Sequence, residues 1–188
     1  MPDLPAPDSL PTVAAAFPEF SAECLERLGR LTALVRDWNA RVNLVSRKDV
    51  EHLEVHHLLH SLLAIRHWQP AAGADVADLG TGGGFPGLPL AVVYPQCRFT
   101  LVDSIGKKGR TVRSIAAALG LENVRVEICR AEQLRGRFDY VFGRAVTALP
   151  RFLGWAAPLL RAKGGGETPN GVLYFKGTRW RDELAGTG

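Results

Sequence analysis

The sequence predicts an α/β protein: a mostly parallel, twisted sheet of about five strands, with helices on both faces and a helical N-terminal extension. Three observations lead there. From residue 75 onward, short β-branched or aromatic runs alternate with helix-length segments, a pattern that right-handed crossovers turn into a parallel sheet. Before residue 70, apolar residues recur at helical spacing instead. At the junction, residues 78–89 read DLGTGGGFPGLP, a corner dense in glycine and proline between two apolar runs.

Residues 1–18 carry five prolines and read as a poorly ordered lead-in. Ser21 is a suitable N-cap, and Leu25, Leu28, Leu31, Leu34, Val35 and Trp38 then mark an amphipathic helix over 22–38. A second helix is expected over 50–67, with Leu53, Val55, Leu59, Leu62 and Leu63 on its apolar side. Strands are predicted at 75–80, 98–104, 124–130, 138–146 and 171–177, with helices near 86–93, 107–119 and 150–161. Residues 163–171, KGGGETPNG, form a loop by composition. The expected organisation is therefore a lead-in (1–18), a helical segment (19–68) and an α/β ligand-binding domain (69–188).

In an open parallel sheet, ligands bind beyond the carboxyl ends of the strands, at the switch point in strand order. The glycine corner falls at the end of the first strand. Asp78, Gly80, Gly82 and Gly84 space an acid and three glycines alternately, and glycines admit positive φ and put no Cβ between backbone and ligand. A plain tight turn is the alternative. Gly82-x-Gly84-x-x-Gly87 superficially matches a dinucleotide loop, but Phe85-Pro86 stands where a pyrophosphate needs free helix N–H groups. Asp103 ends the second strand, where a carboxylate can accept hydrogen bonds from a ribose diol or cap the following helix. Ala131 and Glu132 follow the third strand, and Glu132 suits either an adenine edge or a solvated loop. Loops after successive parallel strands face one crevice.

The formal net charge is +4 and unevenly spread. Residues 1–37 sum to −3 and residues 105–137 to +5, a patch that suits a polyanion or simply a solvated face. Cys24, Cys97 and Cys129 are far apart and odd in number, which argues against a disulfide framework or a zinc site and points to a reducing, cytoplasmic setting. No metal site, membrane span or signal peptide is expected.

The stretches WNARVNLVS, HHLLHSL, DLGTGGGFPGLPLAV, LVDSIGKKGR, FDYVFGRAV and LYFKG, from about Trp38 to Lys176, resemble the 16S ribosomal RNA guanine-N7 methyltransferases, the RsmG or GidB family. The resemblance implies a Rossmann-like class I methyltransferase, S-adenosylmethionine as methyl donor, and 16S rRNA or the small ribosomal subunit as partner of a monomer. It carries cofactor contacts over to Gly80, Phe85, Ala131, Glu132 and Arg144. Gly82 and Asp103 join them from the loop pattern and the strand-end position. His60 stands where the family has an aspartate, and the family normally continues past FKG through a helix and two more strands, whereas this sequence reads TRWRDELAGTG there.

Residue chemistry narrows the acceptor independently. GRAV after the fourth strand lacks the Asn/Asp-Pro-Pro-aromatic element of exocyclic amine methylation, and neither Cys97 nor Cys129 suits a C5 nucleophile. Guanine N7 has an available lone pair, so no catalytic acid or base is assigned. His52, His56, His57, His60 and His67 are read as covering a helix face or packing against the sheet rather than as catalytic. Lys107, Lys108, Arg110, Arg113, Arg41, Arg47 and Lys48 are candidate phosphate contacts, and Trp38 either stacks on a base or packs the helix end. Two other readings share these features: a nicotinamide-dependent oxidoreductase, and a non-catalytic RNA-binding or assembly module.

Overall fold

The computed structural model describes residues 4–162, 167–177 and 180–181. The proline-rich start departs from the expected loose lead-in. Pro11 opens helix α1 (Pro11–Ala16), and Val13 and Phe17 are buried. Leu10, at the N-cap, has no side-chain acceptor to offer. The Glu54 Oε1 instead accepts from Thr12 N (2.6 Å) and Val13 N (3.0 Å), so a remote carboxylate satisfies the free N–H groups of the first turn. Proline fits at this end because its missing N–H costs no helical hydrogen bond.

Helix α2 (Ala22–Asn39) forms as its periodicity predicts, capped by the Ser21 Oγ accepting from Cys24 N at 3.1 Å. The second helical stretch is not one regular α-helix. It runs as a 3-10 turn (Val50–His52), a π-helix (Leu53–Leu59), the short α3 (His60–Leu62) and a second 3-10 turn (Leu63–Arg66). Leu53 and Leu62 point into the core as expected and Leu58 joins them, whereas Val55 and Leu63, expected on the apolar side, are exposed because the π-turn shifts the helical register.

Strands β1 (Asp75–Leu79), β2 (Arg98–Val102), β3 (Val124–Glu127), β4 (Tyr140–Arg144) and β5 (Gly171–Phe175) form one wholly parallel sheet in the order β3-β2-β1-β4-β5. The order reverses between β1 and β4. Helices α4 (Gly87–Val93), α5 (Gly106–Ala118) and α6 (Leu149–Ala156) link successive strands. Each strand ends earlier than the apolar runs suggested. Gly80, Asp103, Ile128–Arg130 and Ala145 leave the sheet because the chain there turns into a loop over its carboxyl edge.

Two apolar layers sandwich the sheet. One joins the N-terminal helices to α4, α5 and one sheet face, including Leu31, Leu62, Val76, Leu90, Leu101 and Ile115. The other seats Phe152 and Ala156 of α6 against Ala77, Leu79 and Val141. Because the first layer runs without a break from Leu10 to Phe142, residues 19–68 share a core with the α/β part. Asn123 closes this layer: its Nδ2 donates to the carbonyls of Ala91 (3.1 Å), Tyr94 (3.3 Å) and Cys97 (3.1 Å), which takes up oxygens at the end of α4. At the amino edge, Arg161 bridges Asp75 (2.6 Å) and Asp139 (2.7 Å). No helix among the described residues is long and apolar enough to cross a membrane. Residues 163–166 of the predicted loop and the stretch beyond 181, on which the expectation of missing strands falls, lie outside the described residues.

Candidate cofactor crevice

A crevice of about 530 Å³ opens at the carboxyl edge, among the loops that follow β1, β2, β3 and β4. Its volume falls within the roughly 300–1,000 Å³ common for small-molecule sites, and its place is the switch point of the sheet. Gly80, Gly82, Asp103, Ala131, Glu132 and Arg144 all border it, so six of the seven residues singled out from the sequence share one hollow. Ser104, Lys108, Arg130, Ala145 and Trp155 complete much of the wall.

The floor is the glycine turn. Gly80 N and Thr81 N both donate to Val102 O, at 2.8 and 2.9 Å, which ties the turn to the end of β2. Gly80 has φ +73°, and a Cβ there would lie 2.8 Å from Val146 Cγ2. Glycine is required both by backbone conformation and by the closeness of the β4 loop.

Asp78, which heads the motif, does not reach the crevice. It is fully buried, and its Oδ2 accepts from Thr81 Oγ1 (2.7 Å) and from Gly87 N (3.0 Å). Burial pushes its carboxyl up to about 6, against the opposing pull of these two hydrogen bonds. Gly87 N is the first helical N–H of α4, so the donor that a pyrophosphate would seek is already used. The dinucleotide reading loses its anchoring feature here.

Asp103 borders the crevice, and no side chain among the described residues caps the start of α5. The Asp103 Oδ2 accepts from Gly82 N (2.9 Å) and its Oδ1 from Ile105 N (2.8 Å), where Ile105 is the N-cap residue of α5. The carboxylate thus locks the β1 and β2 loops together while bordering the crevice. A carboxylate offers about four acceptor sites, so capacity for a ligand remains. Glu132 is exposed on the 3-10 turn Ala131–Gln133 and lines the crevice.

Phe85 is the exception. It is 2% exposed and borders no part of the crevice. Its ring lies 5.3 Å from the His57 ring and 5.5 Å below the Arg144 guanidinium. The large apolar ring is drawn into the core between glycine turn and N-terminal segment, where it backs the crevice wall instead of forming it.

Arg144 closes β4 half-buried. Its Nη2 lies 2.6 Å from His57 Nδ1, and its Nη1 donates to His56 O at 3.3 Å. Burial, followed by the Arg144 charge, brings His57 down to about 4, so the imidazole is neutral at pH 7 and can accept. Of the five histidines, read as covering a helix face or packing against the sheet, this one is bonded through its ring to a crevice residue. Nothing in the helical spacing signalled that partnership.

The next residue, Ala145, has φ +53°, a left-handed conformation uncommon outside glycine. Tyr174 of β5 holds this bend. Its hydroxyl accepts from Val146 N (3.2 Å) and Thr147 N (2.9 Å) and donates to Thr147 O (2.6 Å). Sequence reasoning passed over Tyr174. The one available signal was a tyrosine in a strand that neighbours the loop-bearing β4. Trp38 is partly buried with Arg41 stacked 4.3 Å from its ring, so it packs the end of α2. Among the described residues, no group of histidines, cysteines or acids is placed to hold a metal.

Sheet order, glycine floor and strand-end acid together define a Rossmann-like fold. Solved methyltransferases share it at low identity. A coclaurine N-methyltransferase bound to N-methylheliamine and SAH superposes with TM-score 0.57 at 16% identity, covering 81% of this chain and 52% of that one. A precorrin-6y C5,15-methyltransferase from Geobacter metallireducens gives 0.51 at 14% identity, covering 78% and 75%. The chain belongs to the rRNA small subunit methyltransferase G family, whose sequence model matches residues 24–187. The ribosomal RNA small subunit methyltransferase G of Flavobacterium psychrophilum is 44% identical over 168 residues, which is 89% of this chain and 80% of that protein. Its counterpart in Porphyromonas gingivalis is 43% identical over 169 residues, 89% and 76% respectively.

Proposed function

We propose that this protein binds S-adenosylmethionine in the switch-point crevice and methylates N7 of a guanine in 16S rRNA within the small ribosomal subunit or its RNA. One observation carries the reading: Gly80, Gly82, Asp103, Ala131, Glu132 and Arg144 border a single nucleoside-sized hollow in a chain of the rRNA small subunit methyltransferase G family.

The residues present suit the cofactor. Gly80 and Gly82 let a ligand approach the backbone without a Cβ between them. Asp103 keeps acceptor capacity for a ribose diol, and Glu132 has the polarity for an adenine edge. Phe85 backs the wall and contributes shape. When bound, the cofactor supplies an electrophilic methyl on a sulfonium.

The chain's own residues supply orientation. Guanine N7 attacks with a lone pair that carries no proton, so no general base is required and none is assigned. Alignment of acceptor with methyl, held by the crevice wall and the Tyr174-pinned bend at Ala145, is the main contribution to rate. Positive charge passes from sulfur to the purine during transfer, beside Asp103 and Glu132 on a wall that also carries Lys108, Arg130 and Arg144.

The basic groups Arg41, Arg47 and Lys107, which line a hollow between the N-terminal segment and the start of α5, suit RNA phosphates. The test is incubation with labelled adenosylmethionine and small-subunit RNA or particles, followed by chemical strand cleavage at N7-methylated guanines. Label in 16S rRNA with one cleavage position supports the reading. Label on protein or DNA, or none on RNA, overturns it.

A further inference from the structure

We infer that His57 is a positioning residue of the crevice: its imidazole Nδ1 holds the Arg144 guanidinium in the orientation that faces the bound ligand. The inference rests on the proposed cofactor reading and extends it to a residue outside the crevice wall.

Arg144 has five N–H donors in a planar fork. Two are drawn away from the crevice, one to His57 Nδ1 at 2.6 Å and one to His56 O at 3.3 Å. The ring of Phe85 lies 5.5 Å from the guanidinium carbon, and Arg144 borders the crevice. A long flexible side chain is thereby fixed on two sides, which removes the ordering cost that a ligand would otherwise meet.

The proton arrangement on His57 has one consistent form. Nδ1 accepts from Arg144, so the ring proton sits on Nε2. That nitrogen is buried without a hydrogen-bond partner, and the nearest carboxylate is Asp49, with Oδ2 at 4.0 Å. Asp49 is in turn held by Ser46 Oγ (2.5 Å) and His56 Nδ1 (3.0 Å). The sequence Asp49, His57, Arg144 thus leads from the N-terminal segment to the crevice. Both histidines that touch Arg144 lie on the π-helix Leu53–Leu59, a rare geometry that recurs at functional sites. A charged imidazole would set two cations 2.6 Å apart, and the neutral form that burial enforces avoids this.

The test uses isothermal calorimetry with adenosylmethionine and adenosylhomocysteine on the full chain, with thermal unfolding as a fold control. His57→Phe keeps an aromatic ring against Phe85 and removes the acceptor. His57→Asn restores an acceptor near the place of Nδ1, and His57→Gln puts one near the place of Nε2. The expected result is a roughly tenfold weaker Kd for His57→Phe, in line with loss of one charge-assisted hydrogen bond, with recovery in His57→Asn but not in His57→Gln. In turnover the loss falls on KM for adenosylmethionine more than on kcat. If the wild-type protein binds neither nucleoside, the crevice reading fails and this inference with it. If the wild type binds and His57→Phe binds equally well, or all three variants weaken alike, the positioning role alone is overturned.

Discussion

Replacing Tyr174 by phenylalanine removes one oxygen atom and leaves the ring. That ring stacks on Phe152 at 4.1 Å and 15°, so the substitution opens no cavity in the layer beneath α6. The hydroxyl makes three contacts with the bend after β4: it accepts from Val146 N and Thr147 N and donates to Thr147 O. Each net hydrogen bond is worth about 0.5–1.5 kcal/mol, and the bend is only partly buried, so water recovers some of the loss. The expected destabilisation is about 2 kcal/mol, which lowers Tm by roughly 4–8 °C for a chain of this size. Ala145 at φ +53° depends on this restraint, and Ala145 and Val146 border the crevice, so ligand affinity also falls. Urea unfolding measures the stability directly, with an unchanged m-value as the control for two-state behaviour. A variant as stable as the parent would show that Tyr174 does not hold the bend.

Further perturbations probe the floor and its buried groups. Gly80→Ala combines a positive φ with a 2.8 Å approach to Val146 and should cost about 2–4 kcal/mol, read by denaturant unfolding. Asp103→Asn turns one acceptor into a donor facing Gly82 N or Ile105 N, and should cost about 1–3 kcal/mol and weaken adenosylhomocysteine at least tenfold by calorimetry. Asp78 and His57 act oppositely on pH dependence. Asp78 is raised from 3.8 to about 6, so its contribution is full below 3.8 and is lost as pH rises through 6. His57 is lowered from 6.5 to about 4, so its contribution is full above 6.5 and is lost as pH falls through 4. Asp78→Asn removes the first term, and its stability should therefore climb more steeply than the parent's between pH 4 and 6.5. Parallel curves for the two proteins would contradict this assignment.

Local pattern carried much of the architecture. Leucine spacing marks α2 because the helix presents one apolar face to α4 and α5. Alternating runs and turns mark the parallel sheet, and the glycine corner with Asp103 marks the crevice, since strand-end loops must meet at a switch point. What stayed hidden depends on distant partners. Glu54 caps α1 from 42 residues away, which turned a proline-rich start into a packed helix. The stretch Val50–Arg66 carries a helical period, but its π-turn presents His56 and His57 to Arg144, 88 and 87 residues further on. Phe85 illustrates the reverse case. Its motif position suggested ligand contact, while its size and apolarity send it into the core behind Arg144.

The crevice account is tested most directly by an experimental structure of the protein with adenosylhomocysteine bound. The nucleoside should lie over Gly80 and Gly82, with its ribose at Asp103 and its base beside Ala131 and Glu132. Density instead in the hollow at the opposite edge of the sheet, among Asp75, Arg98 and Arg137, would contradict it.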